Sequence, residues 1–149
     1  MAQTELTETE RWHQWRQGGL GGSDIAGLLG LSRWSSPTRV YYVKIGALEG
    51  ASEETARQRI GKRMEAVLAA EFHDMTGLHV VAEQEWCEDV HPHQYRRCTL
   101  DGRVVESLAS DPRLHALGIV EFKTAFERGW SDIPADYRAQ CVWNMGVTG

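Results

Sequence analysis

Two carboxylates and a lysine carry the clearest chemistry in this sequence: Asp101 in Leu100-Asp101-Gly102, and the outer residues of Glu121-Phe122-Lys123. Arg97 to Val105 reads as a strand with a kink at Gly102, and Leu117 to Thr124 reads as a buried strand. Alternation along a strand puts Glu121 and Lys123 on one side and Phe122 on the other, so the core can take the ring. On paired strands, Asp101 and Glu121 would offer oxygens to Mg²⁺, a hard ion that prefers carboxylate, carbonyl and water ligands. Such an ion lowers the pKa of a bound water and stabilises charge developing on a phosphate. Lys123 would orient that water or neutralise that charge. The chemistry is phosphodiester hydrolysis. Taken alone, the tripeptide also fits a half-buried strand that emerges into solvent with ordinary surface charges.

Helices must bring further groups to such a site. Gly61 to Phe72 lies in a helical pattern, with Ile60, Met64, Val67, Leu68, Phe72 and Met75 forming one apolar stripe that Thr76-Gly77 ends. Glu65 falls on the edge of the stripe and Glu71 near its middle, and either could face a metal. The preferred reading of Glu71 is a buried acid paired with an arginine or a strand backbone, because an unpaired carboxylate there is costly. Glu65 by itself reads as a solvated flank. Nearer the N-terminus, Arg16 precedes a loop of four glycines and then Ser23, which is placed to N-cap the short helix that follows. Glycines admit close approach of a ligand, and free N–H groups at a helix start favour an anion, so a phosphate could sit there with Arg16. The loop lacks the strand and the Gly-Lys-Ser/Thr ending of the common nucleotide loops, and a tight helix–helix turn fits it as well.

The remaining pattern is mixed. Ser35-Ser36-Pro37 starts another helix, with Val40, Tyr41, Ile45 and Leu48 behind it. Strands are expected near Leu78 to Trp86, Arg96 to Val105 and Leu117 to Thr124, followed by a helix whose first turn holds Pro134. Helices flanking a small mixed sheet make an α/β fold of the α+β kind. At 149 residues the chain suits one domain, with surface linkers at Gly46 to Glu54 and Glu106 to Pro112. A formal net charge of −5 does not suit a passive nucleic-acid binder, but acids gathered at a metal site are compatible with a nuclease. Arg57, Arg59, Lys62 and Arg63 could track a DNA backbone, although a solvated helix face is the plainer reading. Trp12, Trp15 and Trp34 could stack on bases, but tryptophans this early in a helical region more often pack the core, and no role is assigned to them. Three widely spaced cysteines suit a reducing cytosol, and no secretory or membrane segment is visible. Cys87, His91, His93 and Cys98 match no usual zinc spacing.

As a set, these residues resemble the YqaJ-like viral recombinase family, the phage lambda-type exonucleases of the PD-(D/E)XK nuclease superfamily. The resemblance rests on Arg16 with Ser23, Gly61 with Glu65, Leu100-Asp101-Gly102, Glu121-Phe122-Lys123 and Gln140, and it runs in order from about Trp12 to Gly149. It implies a restriction-endonuclease-like core and a Mg²⁺-dependent exonuclease acting 5′ to 3′ on linear duplex DNA, with Mn²⁺ able to substitute. Asp101, Glu121 and the Phe122 carbonyl would be the metal ligands and Lys123 the catalytic lysine. Glu65 would complete the site through water, and Gln140 would help to position the attacking water. Arg16 and Ser23, joined by Thr99, would hold the 5′-phosphate. The resemblance further implies DNA ends as partner, a single-strand annealing protein beside it, a ring of three copies, and a cytoplasm of a bacterial host or prophage origin. Leu100 replaces the proline of the superfamily's name, a mild departure because that proline only shapes backbone. The closing strand of the family core has no counterpart before Gly149, so the domain is expected to be C-terminally truncated. A truncated, catalytically weak relative that holds DNA ends or docks on a recombination partner is the alternative.

Overall fold

The computed structural model describes residues 5–50, 55–81, 84–89, 93–124 and 130–149. Local capping chemistry fixes where most helices begin. Thr7 and Glu10 form a reciprocal capping box at the start of α1 (Glu8–Gln17), with Thr7 N–H donating to Glu10 Oε2 at 2.7 Å. A short α2 (Gly22–Leu28) follows. Ser36 Oγ accepts from Arg39 N–H at 3.2 Å and Pro37 occupies the first position of α3 (Pro37–Lys44), as its sequence predicts. Thr55 and Gln58 box the start of α4 (Ala56–Thr76), which ends at Gly77 in the left-handed region with φ 73.

The chain then runs β1 (His79–Val81), β2 (Glu85–Glu88), β3 (Arg97–Leu100), β4 (Gly102–Val105), α5 (Pro112–His115), β5 (Gly118–Val120) and α6 (Ala135–Thr148). Each long strand expected from sequence is therefore shorter or divided. The stretch 78–86 yields β1 and the start of β2, with residues 82–83 outside the described residues. The stretch 96–105 yields β3 and β4, which join different sheets with Asp101 between them. The ladder of 117–124 stops at Val120, leaving Glu121 to Thr124 free of regular structure.

Contacts group the chain into two compact units, one of Met1–Gly50, Glu88–Cys98 and Ala135–Gly149, the other of Ala51–Cys87 and Thr99–Pro134. The first, mainly helical unit buries Ile25, Val40, Cys98 and Val147, with Asn144 the buried polar side chain. Glycines permit its close helix approaches. A Cβ at Gly27 of α2 would stand 2.9 Å from Ser35 Oγ and 3.0 Å from Val40 Cγ2, and one at Gly22 would stand 2.3 Å from Asn144 Oδ1 of α6. Trp143 Nε1 donates to the Arg97 carbonyl at 3.0 Å. Trp12 and Trp15 are half-buried beneath the guanidinium groups of Arg16 and Arg97, at 4.8 and 5.3 Å from the ring centres. Trp34, in contrast, is 82 % exposed, because the loop after α2 carries it outward instead of into the core.

In the second unit β1, β4 and β5 form an antiparallel sheet in the order β1-β4-β5, pairing Val80 with Val104 and Arg103 with Ile119. This sheet is antiparallel throughout, where a mixed one is expected from sequence. Leu100, Val104 and Val105 are buried. Glu85 receives Arg103 Nε at 2.6 Å and Arg113 Nε at 3.2 Å, tying β2 and α5 to β4. The buried face of α4 coincides only in part with the apolar stripe. Ile60, Val67 and Met75 are exposed, while Met64, Glu65, Leu68, Phe72 and His73 are half-buried. At 100° per residue the face is turned by roughly 80° towards Glu65. Glu71 consequently lies exposed, neither a buried paired acid nor a group facing the sheet.

Cys87, Cys98 and Cys141 form no disulfide. His91, one of the four residues weighed for zinc, lies outside the described residues. No helix among the described residues is long and apolar enough to cross a membrane.

Candidate active site

Asp101 occupies the bend between β3 and β4, half-buried, and its Oδ2 accepts the Phe122 N–H at 2.7 Å. That bond exists because β5 ends at Val120. Beyond it the Phe122 amide is released from the ladder and turns to Asp101 in the bend before β4. Glu121 and Lys123 flank Phe122 and form an ion pair with each other, the Glu121 side chain only 7 % exposed. From α4, Glu65 Oε2 accepts Gln84 Nε2 at 2.9 Å. Gly61, one turn earlier, sits where a Cβ would meet Thr124 Oγ1 at 3.6 Å, so the helix lies against the segment that follows β5.

Electrostatics links these groups. Burial pushes the Asp101 carboxyl up, and the Phe122 N–H and the Lys123 charge oppose that. Burial likewise raises Glu65, the negative charge of Asp101 adds to the rise, and Gln84, Lys62 and Lys123 act in the other direction. Carboxylates held this way are poised to gain from a nearby cation, since a divalent ion inverts the cost of crowding them. Among the described residues no three His, Cys, Asp or Glu side chains close into a cage. Mg²⁺ needs no such cage: it is commonly bound by one or two carboxylates and completed by water and phosphate oxygens. Asp101, Glu121 and the Phe122 carbonyl are the right donors for it.

The sheet unit thus brings together Asp101, Glu121, Phe122, Lys123 and Glu65. Arg16, Ser23 and Gln140 belong to the helical unit, and Thr99 lies on β3 in the sheet unit. Arg16 Nη2 donates to Ser23 Oγ at 2.5 Å, so these two sequence-predicted partners do meet. Ser23 is not the N-cap of α2. Gly21 holds that position, and Asp24 supplies the capping carboxylate by accepting the Gly21 N–H at 2.8 Å. Ser23 is instead the second residue of α2, with its hydroxyl turned to Arg16. Gln140 packs its Cγ within 3.0 Å of where a Cβ at Gly22 would stand. Sequence reasoning missed Gln84, which touches Glu65 from a left-handed backbone with φ 57, a conformation with an appreciable cost for a non-glycine residue. It also missed Lys44, 2.8 Å from Asp24. Neither had a periodic signal to betray it.

A small antiparallel sheet with flanking helices, carrying acids and a lysine where two of its strands end, is the organisation of an α+β nuclease-like domain. The family described as YqaJ-like viral recombinase domain matches residues 11–149. The chain belongs to that family, whose theme is phage recombination. A Bacillus subtilis (strain 168) protein described as "Uncharacterized protein YqaJ" is 26 % identical over 155 aligned positions, which cover 100 % of this chain and 45 % of that protein. The chain spans about half the length of that curated relative.

Proposed function

We propose that this chain is a Mg²⁺-dependent deoxyribonuclease that degrades one strand of linear duplex DNA from its 5′ end by phosphodiester hydrolysis. Support comes chiefly from the meeting of Asp101, Glu121, Lys123 and Glu65 in one unit of a recombinase-family chain. Asp101, Glu121 and the Phe122 carbonyl would hold the ion, which supplies Lewis acidity and makes a bound water more acidic when present. Lys123 stands by to balance negative charge on the phosphate being cut. Glu65, fixed by Gln84, accepts hydrogen bonds from water entering the site. Arg16 and Ser23, which meet in the helical unit, would receive the 5′-phosphate. The single strand left behind would pass to an annealing protein in the bacterial cytoplasm, and a ring of three copies would make degradation processive.

The test is incubation of the purified chain with 5′-phosphorylated linear duplex and Mg²⁺, beside Asp101→Ala and Lys123→Ala. Degradation by the parent chain that both substitutions abolish is expected, with Mn²⁺ able to replace Mg²⁺. Turnover surviving Asp101→Ala removes the ligand role from that residue. Binding of ends with no turnover under either ion would make the chain an end-holding relative of the enzymes.

A further inference from the structure

Asp24, in the helical unit, is held from three sides. Its Oδ2 accepts the Gly21 N–H and lies 2.8 Å from the Lys44 ammonium, while its Oδ1 stands 3.8 Å from Arg16 Nη2. Lys44 Nζ also donates to the Arg16 carbonyl at 2.9 Å, where α1 ends. The side chains of Asp24 and Lys44 are each 16 % exposed, and that of Arg16 is 31 % exposed. Attraction between opposite charges grows as water withdraws. An Asp24 without Lys44 would therefore draw Arg16 into a close ion pair and repel an incoming anion. With Lys44 present, the carboxylate has its short contact elsewhere, and Arg16 reaches Ser23 Oγ at 2.5 Å over the Trp12 ring.

We propose that Lys44 is a positioning residue for recognition of a phosphorylated DNA end: by neutralising Asp24 and anchoring the Arg16 carbonyl, it keeps the Arg16 guanidinium beside Ser23 and available to the phosphate. Lys44 does not itself touch the anion. The inference rests on the reading of Arg16 and Ser23 as end-phosphate residues.

Fluorescence anisotropy in EDTA tests it with two labelled linear duplexes that differ only in a 5′-phosphate or 5′-hydroxyl. The ratio of the two Kd values is read for each variant, so the folded fraction cancels. Arg16→Gln is expected to bring the ratio to about one, and Lys44→Met to cut the phosphate preference about tenfold. Combining Lys44→Met with Asp24→Asn removes the unbalanced carboxylate and returns the preference to within about threefold of the parent. Lys44→Met that keeps the parent ratio while Arg16→Gln loses it overturns the role of Lys44 and leaves the end-phosphate reading standing. So does a loss that Asp24→Asn does not relieve. If Lys44→Met does not fold, Asp24→Asn alone decides, because the proposal requires its preference to equal or exceed the parent's. A parent ratio of one, or an Arg16→Gln variant that keeps its preference, overturns the underlying reading instead.

Discussion

Burial sets the proton affinity of Asp101 and Glu65 before any ion arrives. Both carboxyls are pushed up, chiefly by loss of water, and Glu65 also by the charge of Asp101. A carboxyl whose folded pKa lies above its unfolded one binds the extra proton in the folded state. Its cost is absent below the unfolded pKa near about 4 and complete once pH exceeds the raised folded value. Asp101→Asn, free of metal, is therefore expected to melt a few degrees above the parent at neutral pH, and the gain should vanish as pH falls below about 4. A variant melting below the parent at neutral pH would contradict this. Adding Mg²⁺ should raise the Tm of the parent by mass action and leave that of Asp101→Asn unmoved. Lys123→Ala should lower kcat by about 10² to 10³ with a smaller change in KM. The residue types in Leu100-Asp101-Gly102 and Glu121-Phe122-Lys123 singled out Asp101, Glu121 and Lys123 in the sequence, but the strand alternation expected there does not apply, since Asp101 sits in a bend and Glu121 to Lys123 lie past the end of β5. Gln84 and the Lys44–Asp24 pair stayed hidden, since each depends on tertiary placement that no local period encodes.

At the level of elements, two glycines separate backbone strain from packing. Gly77 closes α4 with φ 73, and a Cβ there would meet nothing within 4 Å. Gly77→Ala is expected to cost about 1 kcal/mol in urea unfolding, the backbone contribution alone. Gly102 opens β4, and a Cβ there would meet Val80 Cγ1 at 2.3 Å, Val81 O at 3.3 Å and Val120 Cγ1 at 3.4 Å. Gly102→Ala should cost more, about 2–3 kcal/mol, and should lower turnover because Asp101 is its neighbour. Equal costs for the two would mean that the sheet yields freely at β4. Helix ends were readable from Ser36-Pro37 and Thr76-Gly77, where one residue type does one local job. The orientation of α4 was not: Met64, Leu68 and Phe72 of the expected stripe are half-buried beside Glu65 and His73, while Ile60, Val67 and Met75 are exposed, a turn set by tertiary packing that a local period does not encode. Two of the three expected strands divide and the third stops at Val120, since apolar runs do not say where a ladder changes partner.

Across the whole molecule, a net charge of −5 leaves little general attraction for DNA, so recognition falls to particular groups. Arg16 and Ser23, proposed for the phosphate, lie in the helical unit, whereas Asp101, Glu121 and Lys123, proposed for cutting, lie in the sheet unit. If Arg16 and Ser23 select ends, linear duplex should be consumed while covalently closed circular DNA survives the same incubation on an agarose gel. Loss of circles at a comparable rate would mean internal cutting. Asp101, finally, is the one residue between Leu100 of one sheet and Gly102 of another. The metal ligand proposed at such a crossover is only as secure as the weaker of its two supports, since fraying of either shifts it. Loss of the proposed nuclease activity should accordingly set in at a denaturant concentration below the midpoint of the far-UV circular dichroism transition, so that its working range is narrower than the folding range.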